Sequence, residues 1–208
     1  MKKGKIPKII FGILIIILFV VVIFAITHKE KDFTIKMYND ICQKENYTFL
    51  MKEESLDINY SLTISKRKND MSIEAKSDDD HTTTLIKDGT AYYIMHLEKE
   101  YYLYDSSEID ADIIKNGLNG IDEESYTRGQ EKINGKNYYY EEYNDISTFF
   151  IWSKYDEEKE IKTRFYFNNG KIVYIRTISE DTEELLKIEF SDNVDDSVFE
   201  IPNDYAEM

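Results

Sequence analysis

One cysteine, one tryptophan, two prolines and eight glycines are all that 208 residues contain of those types. The lone Cys42 excludes an internal disulfide, so stability must come from packing; in a helical pattern such a thiol behaves as a small buried hydrophobe. Catalytic signatures are missing as well. There is no Gly-x-Ser-x-Gly elbow, no phosphate-binding glycine loop and no Cys-x-x-Cys, and no histidine pair has metal-ligand spacing. Beyond residue 32 the only histidines are His81, which follows three aspartates, and His96, which precedes a tight Leu97-Glu98-Lys99 connection, and both read as surface residues. Glu141-Glu142, Glu157-Glu158 and Glu183-Glu184 are adjacent in sequence, which on a strand sends the two carboxylates to opposite faces and does not make an acid pair. These absences predict a protein that is not an enzyme and holds neither metal nor cofactor.

Positive charge is scarce outside the first 31 residues. Six of the 26 Lys+Arg but only Glu30 of the 41 Asp+Glu fall there, which leaves residues 32–208 with a net charge of −20. Such a surface repels nucleic acid and anionic lipid headgroups and favours solubility. Asp78-Asp79-Asp80 lacks the alternating oxygens, turn glycine and terminal glutamate of a helix-loop-helix calcium loop, and reads as a solvated turn.

The chain also has a single long apolar run, and it is decisive. From Ile9 to Ile26 no side chain is charged or hydrogen-bonding, and 16 of the 18 are Ile, Leu, Phe or Val. At about 1.5 Å per residue these cover roughly 27 Å, the hydrocarbon thickness of a bilayer. Lys2, Lys3, Lys5 and Lys8 precede the run, whereas Lys29, Glu30, Lys31 and Asp32 nearly cancel after it. The positive-inside bias therefore predicts a cytoplasmic tail over 1–8, a membrane span over 9–26, a linker over 27–32 and an extracytoplasmic domain beyond it. Ile26 stands where a signal peptidase wants a small residue, so the span reads as an uncleaved anchor. Cys42, sixteen residues past the run, is too distant for lipidation there.

Past the linker, Phe33, Met37 and Ile41 share a helical face, with Tyr38 and Cys42 beside them, which predicts a short amphipathic helix over 33–44. The period then changes to two. Ile58, Tyr60, Leu62 and Ile64 alternate with polar residues, Met71, Ile73 and Ala75 repeat the pattern after a Lys66 to Asp70 turn, and one face of this sheet is expected to be wet. Asp88-Gly89, Asn134-Gly135 and Asn169-Gly170 are the dipeptides of two-residue hairpin turns, and each lies between β-prone runs. They predict hairpins of 82–86 with 90–95, 126–132 with 138–143, and 161–167 with 172–178. Further strands are expected at 47–51, 101–104, 149–154, 185–190 and 198–201, and a second helix at 108–118. Two short helices cannot cover some 10 to 12 strands, so the antiparallel sheet must curl, either filling its concavity with side chains or leaving room for a ligand.

Lys87-Asp88-Gly89-Thr90-Ala91-Tyr92-Tyr93, Gln130 to Lys136, Phe165 to Lys171 and the closing run Val198-Phe199-Glu200-Ile201-Pro202-Asn203-Asp204-Tyr205, set behind a membrane-proximal helix, resemble the LolA/LppX-like lipoprotein carriers. The resemblance covers residues 33–205. It implies an unclosed β half-barrel with helices over its mouth and an acyl chain or whole lipid in the concave face; some relatives use the same fold to sense envelope damage. An uncleaved anchor departs from that pattern, because a tethered protein cannot shuttle between membranes. The expected fold class is thus mainly β: a transmembrane helix, then a curled half-barrel with one or two lid helices. The expected function is a non-catalytic, membrane-anchored binding protein for a lipid or other hydrophobic ligand, with an envelope sensor that meets another surface protein as the alternative. Tyr60, Leu62, Phe149, Ile151, Phe165 and Phe167 are the candidates for the cavity lining. The 17 tyrosines cluster at 92–93, 101–104 and 138–143, as cross-strand aromatic packing or as a stacking surface.

Overall fold

The computed structural model describes residues 33–54, 59–104, 121, 126–144, 161–180 and 183–208. The expected tail, span and linker over 1–32, the helix at 108–118 and the strand at 149–154 lie outside these. Among the described residues no helix is long and apolar enough to cross a membrane. Thr34–Met208 forms one compact unit.

That unit is a single open sheet. One helix, α1 (Phe33–Cys42), leads into β1 (Asn46–Glu53), β2 (Ser61–Arg67), β3 (Asp70–Lys76), β4 (His81–Lys87), β5 (Thr90–Met95) and β6 (Glu100–Tyr104). A second run follows: β7 (Tyr126–Ile133), β8 (Lys136–Asn144), β9 (Lys162–Asn168), β10 (Lys171–Ile178) and β11 (Glu183–Ser191). A 3-10 turn at Asp196–Phe199 and a two-residue β12 (Ala206–Glu207) complete it. The strands lie in the order β12-β6-β5-β4-β3-β2-β1-β11-β10-β9-β8-β7. Two antiparallel meanders are therefore joined through β1 and β11, and β7 does not pair with β6 or β12 to close a barrel.

The three hairpins form where the dipeptides place them. Asp88, Asn134 and Asn169 take φ of +51°, +47° and +51°, and the glycines after them +78°, +82° and +73°. Both central residues thus have the positive φ that matches the twist of the strands on either side. A fourth tight turn is less legible: β2 runs on to Arg67, and Lys68 adopts φ +55° without being Asn, Asp or Gly. The turn expected over Lys66 to Asp70 is thereby reduced to Lys68 and Asn69, because Lys66 and Arg67 pair with Met71 and Asp70. A bulge between Ile172 and Tyr174 in β10 shifts the register against β9, and bulges increase local twist.

Two expectations are corrected. Residues 198–201 are not a strand: the Asp195 carboxylate accepts a hydrogen bond from the Ser197 N–H at 3.0 Å and starts the 3-10 turn. That turn drives Phe199, which is fully buried, against Leu85 and Ile94. The chain then returns to the edge, where β12 pairs parallel with Glu100 and Tyr101. Nor is the second face of the first meander wet throughout. The segment from Val194 to Tyr205 packs over it, with Val194, Val198, Ile201 and Tyr205 around Leu85, Ile94, Tyr92 and Tyr101. Ser65, Ser72 and Thr83 of that face are buried. The Arg67 guanidinium lies 4.5 Å over the Phe199 ring and bonds Asp70 and Asp196, so one cation holds the strap to the sheet.

The tyrosine clusters are cross-strand pairs. Tyr92 meets Tyr101, Tyr93 meets Tyr102, Tyr126 meets Tyr143 and Tyr140 meets Tyr166, with ring centroids 5.1 to 6.2 Å apart. Gly129 has a specific role in this packing. A Cβ there would stand 2.5 Å from Cζ of Tyr140, whose ring covers the glycine.

Candidate functional site: an apolar sheet face with a polar end

The ladder registers sort side chains into two faces, since alternate residues of a strand point oppositely and directly paired residues point the same way. One face carries Phe49 and Met51 of β1, Leu62 and Ile64 of β2, Met71 of β3, Leu186 and Ile188 of β11, Ile175 of β10, and Phe165 and Phe167 of β9, all buried. It is an uninterrupted apolar floor across six neighbouring strands. Such a width, at about 4.8 Å per strand, is some 24 Å from β3 to β9.

Leu62, Phe165 and Phe167 of the expected lining belong to this floor. Phe165 and Phe167 lie together on β9, whereas Leu62 is four strands away, about 19 Å along the sheet. Tyr60 precedes β2, with its carbonyl accepting from the Glu53 N–H at 3.0 Å, and it is half-buried at the end of the floor rather than in its middle. Phe149 and Ile151 lie outside the described residues. Phe49, Met51, Ile64, Ile175, Leu186 and Ile188 fill the interval and were not singled out from sequence, although the Tyr47-Phe49-Met51 alternation signals their face.

At the Tyr60 end the floor turns polar. Tyr143, Thr163, Thr177 and Glu184 stand opposite one another in sequence across β8, β9, β10 and β11. All four are buried. The Oγ1 atoms of Thr163 and Thr177 have no hydrogen-bond partner among the described residues, and an unpaired buried hydroxyl costs about 1–3 kcal/mol. Burial together with the negative charges of Asp80 and Glu184 pushes the Tyr60 hydroxyl up to about 12, so it stays protonated and able to donate. One strand pair further along, the wholly buried Glu141 accepts from the Thr34 N–H at 2.9 Å and from the Thr34 hydroxyl at 2.7 Å, and Arg128 lies 3.9 Å away. A sheet carboxylate thereby caps α1 from 107 residues down the chain and fixes the helix to the floor.

Two other constellations occupy the opposite face. Glu131 is gripped by Arg164 at 2.9 Å, by Arg176 and by the Tyr166 hydroxyl at 2.7 Å, while Arg164 also bonds Glu142 at 2.5 Å. Burial alone would raise the Glu131 carboxyl, but these donors hold it below the usual range. In this network the Arg176 Nε is buried without a hydrogen bond and stands 3.4 Å from the Glu183 carboxylate. The second corrects the reading of the histidines as separate surface residues: His81 and His96 stack with centroids 4.0 Å apart. His81 Nε2 is 2.7 Å from Glu74 Oε1; His96 Nε2 is 2.8 Å from the Thr83 hydroxyl and its Nδ1 3.0 Å from the Tyr205 hydroxyl. Burial, then the neighbouring His81, lowers the His96 pKa. Among the described residues no group of three or more His, Cys, Asp or Glu is placed to hold a metal ion.

The fold and this face define a class: an open, mainly antiparallel β-sheet protein with one continuous apolar face that ends in buried hydroxyls. No protein-family model matches the chain, and no curated protein matches it. A solved structure described as an uncharacterized conserved protein from Thermus thermophilus is similar over 84% of this chain and 98% of that one, at 6% identity and a TM-score of 0.48.

Proposed function

We propose that this protein is a membrane-anchored, extracytoplasmic and non-catalytic binding protein that holds a lipid or other hydrophobic ligand on the apolar face. The sheet would curl over the ligand as in the LolA/LppX-like half-barrels that the hairpin motifs resemble. The observation that carries the reading is the unbroken six-strand apolar floor of a sheet whose outer strands do not pair. Sheets of this width with one apolar face and no closure curl around their contents. The apolar run from Ile9 to Ile26, preceded by four lysines, supports tethering with the domain outside. A tethered binder would load or present its ligand at the outer membrane face instead of carrying it between membranes.

Gentle native mass spectrometry of residues 32–208, which contain the compact unit, tests this. A discrete added mass of lipid size, lost on Ile175→Trp substitution in the middle of the floor, is the expected result. A clean apo mass from cells of the native host would sink the reading.

One observation favours a second reading, an envelope sensor or interaction protein. Leu97, Tyr102, Leu103 and Met208, the exposed large hydrophobics among the described residues, all lie at the β6 edge, where β12 covers Glu100 and Tyr101 alone. An apolar edge with open backbone groups suits a surface protein that adds an extended strand. Crosslinking in intact cells that captured monomer alone would exclude it.

A further inference from the structure

The polar end of the apolar face calls for a ligand of particular chemistry. Thr163 and Thr177 face each other directly on β9 and β10, at 0% and 1% exposure, and neither hydroxyl has a hydrogen-bond partner among the described residues. On one side the row continues to Tyr143, and on the other to Glu184, which stands opposite Thr177. A hydroxyl both donates and accepts, and a carboxylate accepts only. Among the described residues the charged side chains on this face at this end are Glu184, which acts on Tyr60 together with Asp80, and Glu53, whose backbone N–H bonds the Tyr60 carbonyl. Among the described residues the cations on the same face are Lys66 on β2, four strands from Thr163, and Lys132 and Arg128 on β7, two strands from it; Arg128 bonds the Tyr126 hydroxyl and lies beside Glu141. Lys162 and Lys187 are in register with Ile178 and Tyr174, on the opposite face.

Resting on the lipid-binding reading above, we infer that Thr163, Thr177 and Glu184 form a headgroup subsite that takes an uncharged, hydroxyl-bearing headgroup and excludes an anionic one. The apolar floor receives the chain, and a diol at its end donates to Glu184 while exchanging hydrogen bonds with both threonines. A phosphate at the same place would lie between two neutral hydroxyls and a buried carboxylate of its own sign, which is the arrangement that partner discrimination by charge requires. Two threonines on neighbouring strands of an otherwise apolar floor are hard to account for by packing, because valine would fill the same volume without leaving a polar atom unpaired.

The test uses residues 32–208, after cooperative thermal unfolding has established that they fold alone. Three amphiphiles with one acyl chain are compared by displacement of a fluorescent fatty probe: a monoacylglycerol, the corresponding lysophosphatidate and the fatty-acid methyl ester. The monoacylglycerol is expected to bind at least tenfold more tightly than the lysophosphatidate. The double variant Thr163→Val/Thr177→Val should lower monoacylglycerol affinity about tenfold, the worth of two ordinary hydrogen bonds, and leave the methyl ester unchanged. The same variant should raise the melting temperature of the empty domain, which gives a readout that needs no ligand. Equal binding of the charged and uncharged lipids, or a double variant without effect on either affinity or melting, would overturn the subsite. Failure of all three amphiphiles to bind would instead remove the lipid-binding reading itself, and the subsite with it.

Discussion

Replacing Phe199 with alanine tests whether the C-terminal strap is an integral part of the fold. The ring is fully buried among Leu85, Ile94 and their neighbours, and Arg67 lies 4.5 Å above it. Truncation of a buried phenylalanine costs about 3–5 kcal/mol, from lost transfer free energy and the cavity left behind. Loss of the cation–π contact adds about 0.5–1 kcal/mol at such a partly exposed guanidinium. A total near 4 kcal/mol is a large share of the roughly 5–15 kcal/mol that holds a domain together. For a unit of about 175 residues each kcal/mol shifts the melting temperature by about 2–4 °C, so the transition should fall by about 8–16 °C. Circular dichroism during thermal and urea unfolding measures it, with Phe199→Leu as a control that should lose about 1 kcal/mol. If Phe199→Ala cost less than about 1 kcal/mol, the strap would be a detachable tail and its packing on β3 to β5 would not describe the native state. Early proteolysis between Ser191 and Phe199 at unchanged melting temperature would point the same way.

Two further perturbations read single interactions. The folded His96 has a lowered pKa, chiefly from burial and then from His81, so the unfolded chain binds more protons as pH falls below about 6.5. His96 therefore contributes stability that is complete above about pH 6.5 and lost as the pH drops toward its folded value. Melting temperatures of the native chain should fall more between pH 7 and 5 than those of His96→Asn, and parallel curves would refute the assignment. Gly129→Ala forces a methyl group into the Tyr140 ring, which packs 5.6 Å from Tyr166 and beneath Arg164. Overpacking of this kind should cost about 1–3 kcal/mol in urea unfolding, against the slight gain expected of alanine over glycine in a strand, and a stabilised variant would show that the ring is free to move.

The parts of this fold legible in the sequence are those fixed by neighbours. The Asp88-Gly89 turn sets its hairpin register by itself, so every pair equidistant from the turn is determined. His81 lies seven residues before Asp88 and His96 seven after Gly89, and the stacked pair could have been read from that count. Treating each histidine by its immediate neighbours hid it. The apolar face was legible through Leu62, Phe165 and Phe167 for the same reason, since alternation is local. What joins the halves was not. Nothing near Phe49 announces Phe190 as its partner, and nothing near Thr34 announces the Glu141 cap, because both depend on where distant strands arrive. Val198 to Ile201 reads as a strand by composition, yet the Asp195 cap and the burial of Phe199 against Leu85 and Ile94 decide for a 3-10 turn. The polar row was illegible because Thr163 and Thr177 meet only after a bulge has shifted β10.

The position of β1 between β2 and β11 has a consequence for the order of assembly. Thr48 waits for Ser191, 143 positions later, before its second edge is paired. Until the last long strand has been synthesised, the first meander must persist as a half-sheet whose leading edge, Tyr47 to Met51, is both apolar and open. Loop closure over such a separation is slow, and unpaired apolar edges are where nascent chains misassemble. Refolding should therefore be biphasic, with fast hairpins and a slow closing step, and the chain should depend on holdase chaperones for as long as that edge is uncovered.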